Sequence, residues 1–220
     1  MIEPYYQNDG ATIYHGDCRE ILPHLPQVGA VVTDPPYAIP TKIASVRRGV
    51  RSLGDLLIVE AGLKTFFDVI VSKVDSSGRV MVFCDQTSYP VIFRLLYGVG
   101  MSSLLVWDKC RKERGWEFRK SHELILNCWF PDTPIFSDGK GRSDVLRVKP
   151  VSKKRHPAEK PTALLRQLLE VCQGVVLDPF MGSGSTLRAA TDLGLEAIGC
   201  EIEELYCEIA ADKLRQGVLC

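Results

Sequence analysis

The chain contains 220 residues, 45% of them hydrophobic, and its 27 basic side chains balance its 27 acidic ones. This composition suits one folded domain, expected to span residues 1–220. No apolar run approaches the roughly 18 residues that cross a bilayer, and residues 1–10 contain no basic and apolar leader, so a cytoplasmic protein without membrane attachment is expected. The eight cysteines include no Cys-x-x-Cys pair, which favours reduced thiols and predicts no metal site.

Apolar runs alternate with helical patterns along the chain. Seven runs predict β-strands, at residues 11–16, 30–34, 79–85, 102–109, 122–130, 175–180 and 195–202. Helices are expected between them, with the clearest apolar spacing and terminal glycines at residues 161–174, 185–194 and 201–217. The alternation predicts an α/β fold with a doubly wound, mostly parallel sheet and helices on both faces.

The sequence "VVTDPPYAIP" at residues 31–40 ends the second predicted strand with an acid and two prolines. Prolines donate nothing to a sheet ladder and keep the preceding residue extended, so the strand must stop here. The chain then presents a carboxylate, a proline carbonyl and an aromatic ring at the carboxyl end of a strand, where ligands bind in doubly wound folds.

A second motif, "VVLDPFMGSGSTLRAA", follows the same plan, with Asp178 ending a strand and Gly182 and Gly184 forming a tight turn before a helix. No lysine follows the glycines as a P-loop requires, and the spacing is not that of a dinucleotide fingerprint. Asp178 suits a cationic ammonium, and Glu201 at the next strand end suits ribose hydroxyls. A ligand with an amine, a ribose and no phosphate fits S-adenosylmethionine, although the motif alone equally fits an ordinary glycine turn.

Positive charge is concentrated in three segments, "TKIASVRRGVRS", "DKCRKERGWEFRK" and "GKGRSDVLRVKPVSKKR", whereas residues 192–208 hold six acids and no base. Such runs are often only solvated loops, but they also suit a phosphate partner. Trp116 and Phe118 within the second segment favour a nucleic-acid partner, because aromatic side chains among basic residues can stack on nucleobases.

Together these stretches resemble the beta group of DNA amino-methyltransferases. "DPPY" at 34–37 is similar to their catalytic motif, "DPFMGSG" at 178–184 to their S-adenosylmethionine motif, and "HPAEKP" at 156–161 to an element that precedes it. "YHGDCREILPHLP" resembles the group's amino-terminal segment, and the catalytic motif comes before the cofactor motif, as in that permuted group. The resemblance implies a Rossmann-like class I methyltransferase fold.

The resemblance also implies a role for each motif residue. Asp34 and the Pro35 carbonyl would accept the two hydrogens of an exocyclic amine, Pro36 would fix their geometry, and Tyr37 would stack on a base flipped out of double-stranded DNA. S-adenosylmethionine contacts are expected from Asp17, Lys160, Asp178, Phe180, Gly182, Gly184 and Glu201. For Asp17 the alternative is a turn residue, and for Lys160 it is solvation of a helix start.

Three further side chains that could transfer protons are assigned no catalytic role. His156 is expected to fix its loop by a hydrogen bond. His122 and Glu123 are expected to be strand-edge residues.

DNA contacts are expected from the three basic segments, which we expect to converge on one face. The residues concerned are Lys42, Arg47, Arg48, Arg51, Arg111, Lys112, Arg114, Lys153, Lys154 and Arg155. Only residues 130–155 remain for target recognition, and Ala38 stands where many members have glycine. Recognition is therefore expected to be short, shared with the loop at 38–54, or supplied by the second subunit of a homodimer.

The expected target is the N6 amine of adenine, because family members that modify adenine mostly open the catalytic motif with Asp, whereas cytosine enzymes often open it with Ser. Cytosine N4 is the alternative. A protein methyltransferase is less favoured because its related motif usually begins with Asn, and an RNA methyltransferase is also less favoured. A nonenzymatic nucleic-acid-binding module would not explain the amine clamp and the glycine turn together.

Overall fold

The computed structural model describes residues 2–35, 53–112, 117–134 and 141–216. Side chains of residues 53–61 are not described. Several predicted site residues lie outside the described residues: Pro36, Tyr37, Lys42, Arg47, Arg48, Arg51 and Arg114.

Nine strands of the described chain form one mixed sheet in the order β1-β2-β9-β8-β3-β4-β6-β5-β7. Their bounds are β1 Tyr6–Gln7, β2 Ala11–His15, β3 Val28–Thr33, β4 Val74–Cys84, β5 Met101–Asp108, β6 His122–Trp129, β7 Val145–Arg147, β8 Val176–Asp178 and β9 Ala197–Glu201. Neighbouring strands from β2 to β4 are all parallel, while β6 runs antiparallel to β4 and β5, and β1 runs antiparallel to β2. The sheet is therefore mostly parallel, as predicted.

Helices cover both faces of this sheet. They are α1 Cys18–Ile21, followed by a 3-10 turn at Leu22–His24, then α2 Leu53–Lys73, α3 Tyr89–Leu96, α4 Thr162–Leu169, α5 Ser185–Asp192 and α6 Glu204–Arg215. Alternate strand residues point to opposite faces. Val32 packs in the cluster that contains Leu165 of α4, whereas Val31 packs in the cluster that contains Phe67 of α2. The predicted doubly wound α/β class is confirmed.

All seven predicted strands are present, and the three helices with the clearest signals are α4, α5 and α6. The sequence pattern missed β1 and β7, which are only two and three residues long. It also placed the start of β4 at Arg79, whereas the strand begins at Val74, which pairs with Val28. The expectation of one domain over residues 1–220 stays a prediction.

The sheet topology brings the predicted ligand residues together. Asp34 follows β3, Asp178 ends β8 and Glu201 ends β9, and these three strands are parallel neighbours in the sheet. Carboxyl ends of parallel strands meet at one edge, so the three carboxylates share the edge at which doubly wound folds bind ligands.

The described residues contain neither a helix that could span a membrane nor a metal-binding cluster. Across 2–35, 53–112, 117–134 and 141–216, no helix is both long and apolar enough to cross a membrane. The same residues contain no group of three or more His, Cys, Asp or Glu side chains arranged to hold a metal ion.

Candidate active site

Four charged side chains of alternating sign form a chain that ends at Asp34, and we call it the charge chain. Lys160, just before Pro161 at the start of α4, pairs with Asp34 Oδ2. Its Nζ lies 3.1 Å from Glu123 Oε2, and Glu123 Oε1 lies 2.9 Å from Lys109 Nζ. The charge chain thus brings together four parts of the chain: the end of β3, the start of β6, the end of β5 and the "HPAEKP" loop.

The charge chain is largely removed from solvent. Side-chain exposure is 12% for Lys160, 18% for Asp34, 27% for Glu123 and 9% for Lys109. Burial acts to lower the pKa of Lys160, but the Asp34 and Glu123 carboxylates outweigh it and the pKa is raised. Burial acts to raise the pKa of Glu123, but Lys160 and Lys109 outweigh it and the pKa is lowered. Both groups are therefore charged at neutral pH.

The structure excludes the alternative given for Lys160 and corrects the expectation for Glu123, while cofactor contact by Lys160 stays a prediction. Lys160 does not merely solvate the helix start, because its ammonium is buried, pairs with Asp34 and lies 4.8 Å from the centre of the Phe83 ring. Glu123 is not a simple strand-edge residue, because β6 lies inside the sheet and its carboxylate bridges two lysines. Sequence reasoning also missed Lys109. The signal in the sequence for this network was Glu123, which is the single charged residue in the otherwise uncharged run from 123 to 130.

A cavity of about 400 Å³ opens beside Asp34, a size typical of small-molecule and cofactor sites. The rest of the charge chain lines it with the buried ring of Trp107. Further cations come from the predicted basic segments, namely Arg111, Lys120 and Lys154. The described parts of two basic segments therefore meet at this cavity. Exposed Lys112, Lys153 and Arg155 are not among its lining residues.

The glycine turn between β8 and α5 is tied to Glu201. The Gly182 amide donates to Glu201 Oε2 at 3.0 Å, and the Glu203 amide donates to Oε1 at 2.9 Å. The Phe180 amide donates to Asp178 Oδ1 at 3.1 Å, while the Phe180 ring lies 5.2 Å from that of Phe66. The turn and the acid predicted for the ribose are thus directly connected.

The two glycines of the turn have different neighbours. Both have positive φ angles, +51° at Gly182 and +71° at Gly184, which favour glycine. A Cβ at Gly184 would lie 2.7 Å from the Ala210 Cβ of α6, so this glycine is needed for helix packing. A Cβ at Gly182 would instead lie 3.2 Å from the His156 ring, on the side of the "HPAEKP" loop.

His156 has the structural role that the sequence predicted. The Ala158 amide donates to its Nδ1 at 3.2 Å, so the loop is fixed by a hydrogen bond. Burial lowers the pKa of His156, which favours the neutral ring that this bond requires. The ring also contacts Tyr206 of α6 edge to face, with centroids 4.4 Å apart.

Asp178 and Asp17 occupy contrasting environments. Asp178 is only 4% exposed, and burial raises its pKa to about 7, against the opposing hydrogen bonds from Thr186 and the Phe180 amide. Asp17 caps α1 by accepting from the Arg19 amide at 2.9 Å, and the hydrogen bond from the Arg19 side chain lowers its pKa. The contacts expected of a turn residue are therefore present at Asp17, at the end of β2 beside β9.

A buried ion pair joins the "HPAEKP" loop to the glycine turn. Lys213 of α6 lies 2.9 Å from Glu159 Oε1 and also donates to Ser183 and Ser185, at 3.3 and 3.1 Å. Exposure is 17% for the Lys213 side chain and 9% for that of Glu159. Because Glu159, Ser183 and Ser185 all line a cleft next to Asp34, this pair holds both walls of the cleft.

Replacing Lys213 with methionine should destabilise the protein, because it leaves the Glu159 carboxylate buried without its cation. The expected loss is about 3 kcal/mol in the free energy of unfolding, measured by urea denaturation. The matched control is Lys64→Met, which removes a lysine from an exposed pair with Asp68 and should change stability little. Equal losses in the two variants would contradict the assigned role of Lys213.

Solved structures of DNA methyltransferases have this fold. The M1.HpyAVI–SAM complex aligns with a TM-score of 0.71 at 25% identity, covering 92% of this chain and 99% of that chain. The cytosine-N4-specific PvuII DNA methyltransferase aligns with a TM-score of 0.80 at 17% identity, covering 99% of this chain and 91% of that one, and shows the fold alone. The architecture is therefore that of a class I methyltransferase, as the resemblance implied.

Sequence comparisons define the family. The N6/N4 methyltransferase family model, described as DNA methylase, matches residues 28–212. Type II methyltransferase M.ScaI of Streptomyces caespitosus is 26% identical over 262 residues, covering 96% of this chain and 84% of the relative. The putative methylase YubD of Escherichia coli K12 is 27% identical, covering 90% and 88%. The chain belongs to the N6/N4 DNA methylase family, and the predicted resemblance is confirmed.

Proposed function

We propose that this DNA amino-methyltransferase transfers a methyl group from S-adenosylmethionine to the N6 amine of an adenine flipped out of double-stranded DNA. The observation that carries the proposal is the position of Asp34. Its carboxylate borders both the cavity of about 400 Å³ and the cleft beside the glycine turn. A group at this junction can contact a base on one side and a methyl donor on the other.

The residues around the glycine turn suit S-adenosylmethionine. Glu201, only partly buried at the end of β9, offers carboxylate oxygens for ribose hydroxyls. Gly182 leaves its Cβ position vacant at the cleft, and the Asp178 carboxyl lies in the cleft wall, where an ammonium would favour its ionised form. When bound, the cofactor supplies an electrophilic methyl sulfonium. M1.HpyAVI, a relative of the same fold, has been solved as a complex with this molecule.

Asp34 and Pro35 act on the target amine in this mechanism. An adenine amine is a poor nucleophile because its lone pair is delocalised into the ring. If Asp34 and the Pro35 carbonyl each accept one amine hydrogen, the nitrogen becomes pyramidal and its lone pair is localised. Lys160 holds the Asp34 carboxylate in place for this contact. The roles of Pro36 and Tyr37 remain proposals for residues outside the described part of the chain.

DNA is proposed to approach at the cavity beside Asp34. Arg111, Lys120 and Lys154 at this cavity are suited to phosphate oxygens, and the basic segment at residues 41–52, outside the described residues, is proposed to join them. Residues 130–155 are proposed to contribute target recognition, although β7 within this segment belongs to the sheet. A homodimer is proposed as a second source of recognition residues.

Product analysis tests the proposal directly. The protein is incubated with labelled S-adenosylmethionine and separate DNA, RNA and protein substrates, and the products are digested for mass analysis. We expect N6-methyladenine from duplex DNA. N4-methylcytosine would replace the adenine assignment by the cytosine alternative and leave the amine clamp in place. Methyl transfer to RNA or protein only would overturn the proposed substrate.

A further inference from the structure

Glu123 belongs to the charge chain, but the negative charge of Asp34 is already balanced without it. Lys160 already pairs with Asp34, so a second buried carboxylate beside this lysine adds a desolvation cost. Lys109, 2.9 Å from Glu123, offsets that added negative charge. The Glu123–Lys109 pair therefore adds no net charge, and its effect lies in where it holds the Lys160 ammonium.

The Lys160 ammonium has contacts on three sides. They are the Asp34 carboxylate, the Glu123 carboxylate at 3.1 Å and the Phe83 ring, whose centre is 4.8 Å away. A lysine is a compact charge on a flexible stem, so its position depends on such partners. Lys160 borders the cleft as well as the cavity. Without Glu123, its ammonium would be able to turn toward the cleft and move the Asp34 carboxylate with it.

Stability is a weak reason for this arrangement. Buried ion networks can often be replaced by apolar side chains without loss of stability, because desolvation cancels most of the attraction. Orientation is a stronger reason, since misplacing a catalytic group by about 1 Å can slow a reaction about 100-fold. The charge chain ends at Asp34, whose carboxylate must be oriented toward the target amine.

We propose that Glu123 and Lys109 are positioning residues for methyl transfer, which hold the Lys160 ammonium against Asp34 and so fix the carboxylate that accepts the target amine. In this proposal both residues act through Lys160 and not on the reacting atoms themselves. The inference rests on the proposed function, because it requires Asp34 to be the acceptor.

The test is Glu123→Gln, which keeps the side-chain size and removes the charge that holds Lys160. We expect the single-turnover rate constant for DNA methylation to fall about 10- to 100-fold, while the Kd values for S-adenosylmethionine and duplex DNA stay within about twofold. Lys109→Met should lower the rate constant by less, because Glu123 still contacts Lys160. The double variant should be no slower than Glu123→Gln, since both changes act through one contact.

The control is Asp68→Asn, which removes the carboxylate of the Lys64–Asp68 pair, whose side chains are 64% and 59% exposed, and should leave the rate constant unchanged. A folded Glu123→Gln with the parent's rate constant overturns the inference. A loss of affinity for both S-adenosylmethionine and DNA that accompanies the loss of rate also overturns it. So does a double variant in which the losses of the two single variants add. If Glu123→Gln does not fold, the same criteria apply to Lys109→Met. An inactive parent protein would contradict the proposed function instead.

Discussion

Replacing Asp34 with alanine is expected to abolish most methyl transfer to DNA while S-adenosylmethionine still binds. The variant removes one of the two acceptors proposed for the amine hydrogens, and losing one preorganised hydrogen-bonding group in an active site costs on the order of 100- to 1000-fold in rate. Lys160 keeps Glu123 as a partner at 3.1 Å, so its buried ammonium is not left alone and the fold should survive. Calorimetry gives the cofactor affinity, and nucleoside analysis of methylated duplex gives the rate.

Asp34→Asn serves as the matched comparison. Its amide oxygen can still accept one hydrogen, but the negative charge that pairs with Lys160 is gone. We expect a rate between those of the parent protein and Asp34→Ala. An active Asp34→Ala would overturn the amine-clamp mechanism, and an equal loss of cofactor affinity would show that the substitution acts before the transfer step.

The strands were predictable where burial makes them apolar over most of their length. All residues of β3 and β8 are buried, and both strands are free of polar side chains up to their last residues, Thr33 and Asp178. β1 and β7 were missed because two or three residues carry no period, and their pairing with β2 and β5 depends on distant parts of the chain. The polar start of β4 was missed for a related reason, since Asp75, Ser76 and Ser77 are not in the core.

The ends of the strands were the predictable part of the site. Asp34 and Asp178 each follow an apolar run and precede a proline, which marks the carboxyl end of a strand, and Glu201 ends a third such run. The parallel sheet then places the three acids on one edge. The contacts of Lys160 were less predictable. A lysine before a helix is usually solvated, and no local pattern indicates that Glu123 from β6 and Asp34 from β3 meet it. Long-range ion pairs of this kind arise from packing of the sheet and its loops.

The glycine motif shows a similar division. The two glycines predicted a tight turn, and their positive φ angles agree with it. The sequence did not show which residues lie next to each glycine, because Ala210 of α6 and His156 before α4 are both distant from the turn along the chain. The structure assigns Gly184 to packing against α6, so Gly182 is the better position at which to test the cofactor site.

Gly182→Val is expected to weaken S-adenosylmethionine binding about tenfold or more with the fold intact, since a side chain with positive φ is strained and this one meets the His156 ring. Displacing His156 also disturbs the "HPAEKP" loop that borders the cleft. The matched control is Gly194→Val, where φ is +74° and, among the described residues other than its chain neighbours, no heavy atom lies within 4 Å of the added Cβ. This control shares the backbone strain without the contact, so it should lose stability and keep the parent's affinity. Calorimetry on the two variants separates the effects, and unchanged affinity in Gly182→Val would remove the cofactor from this turn.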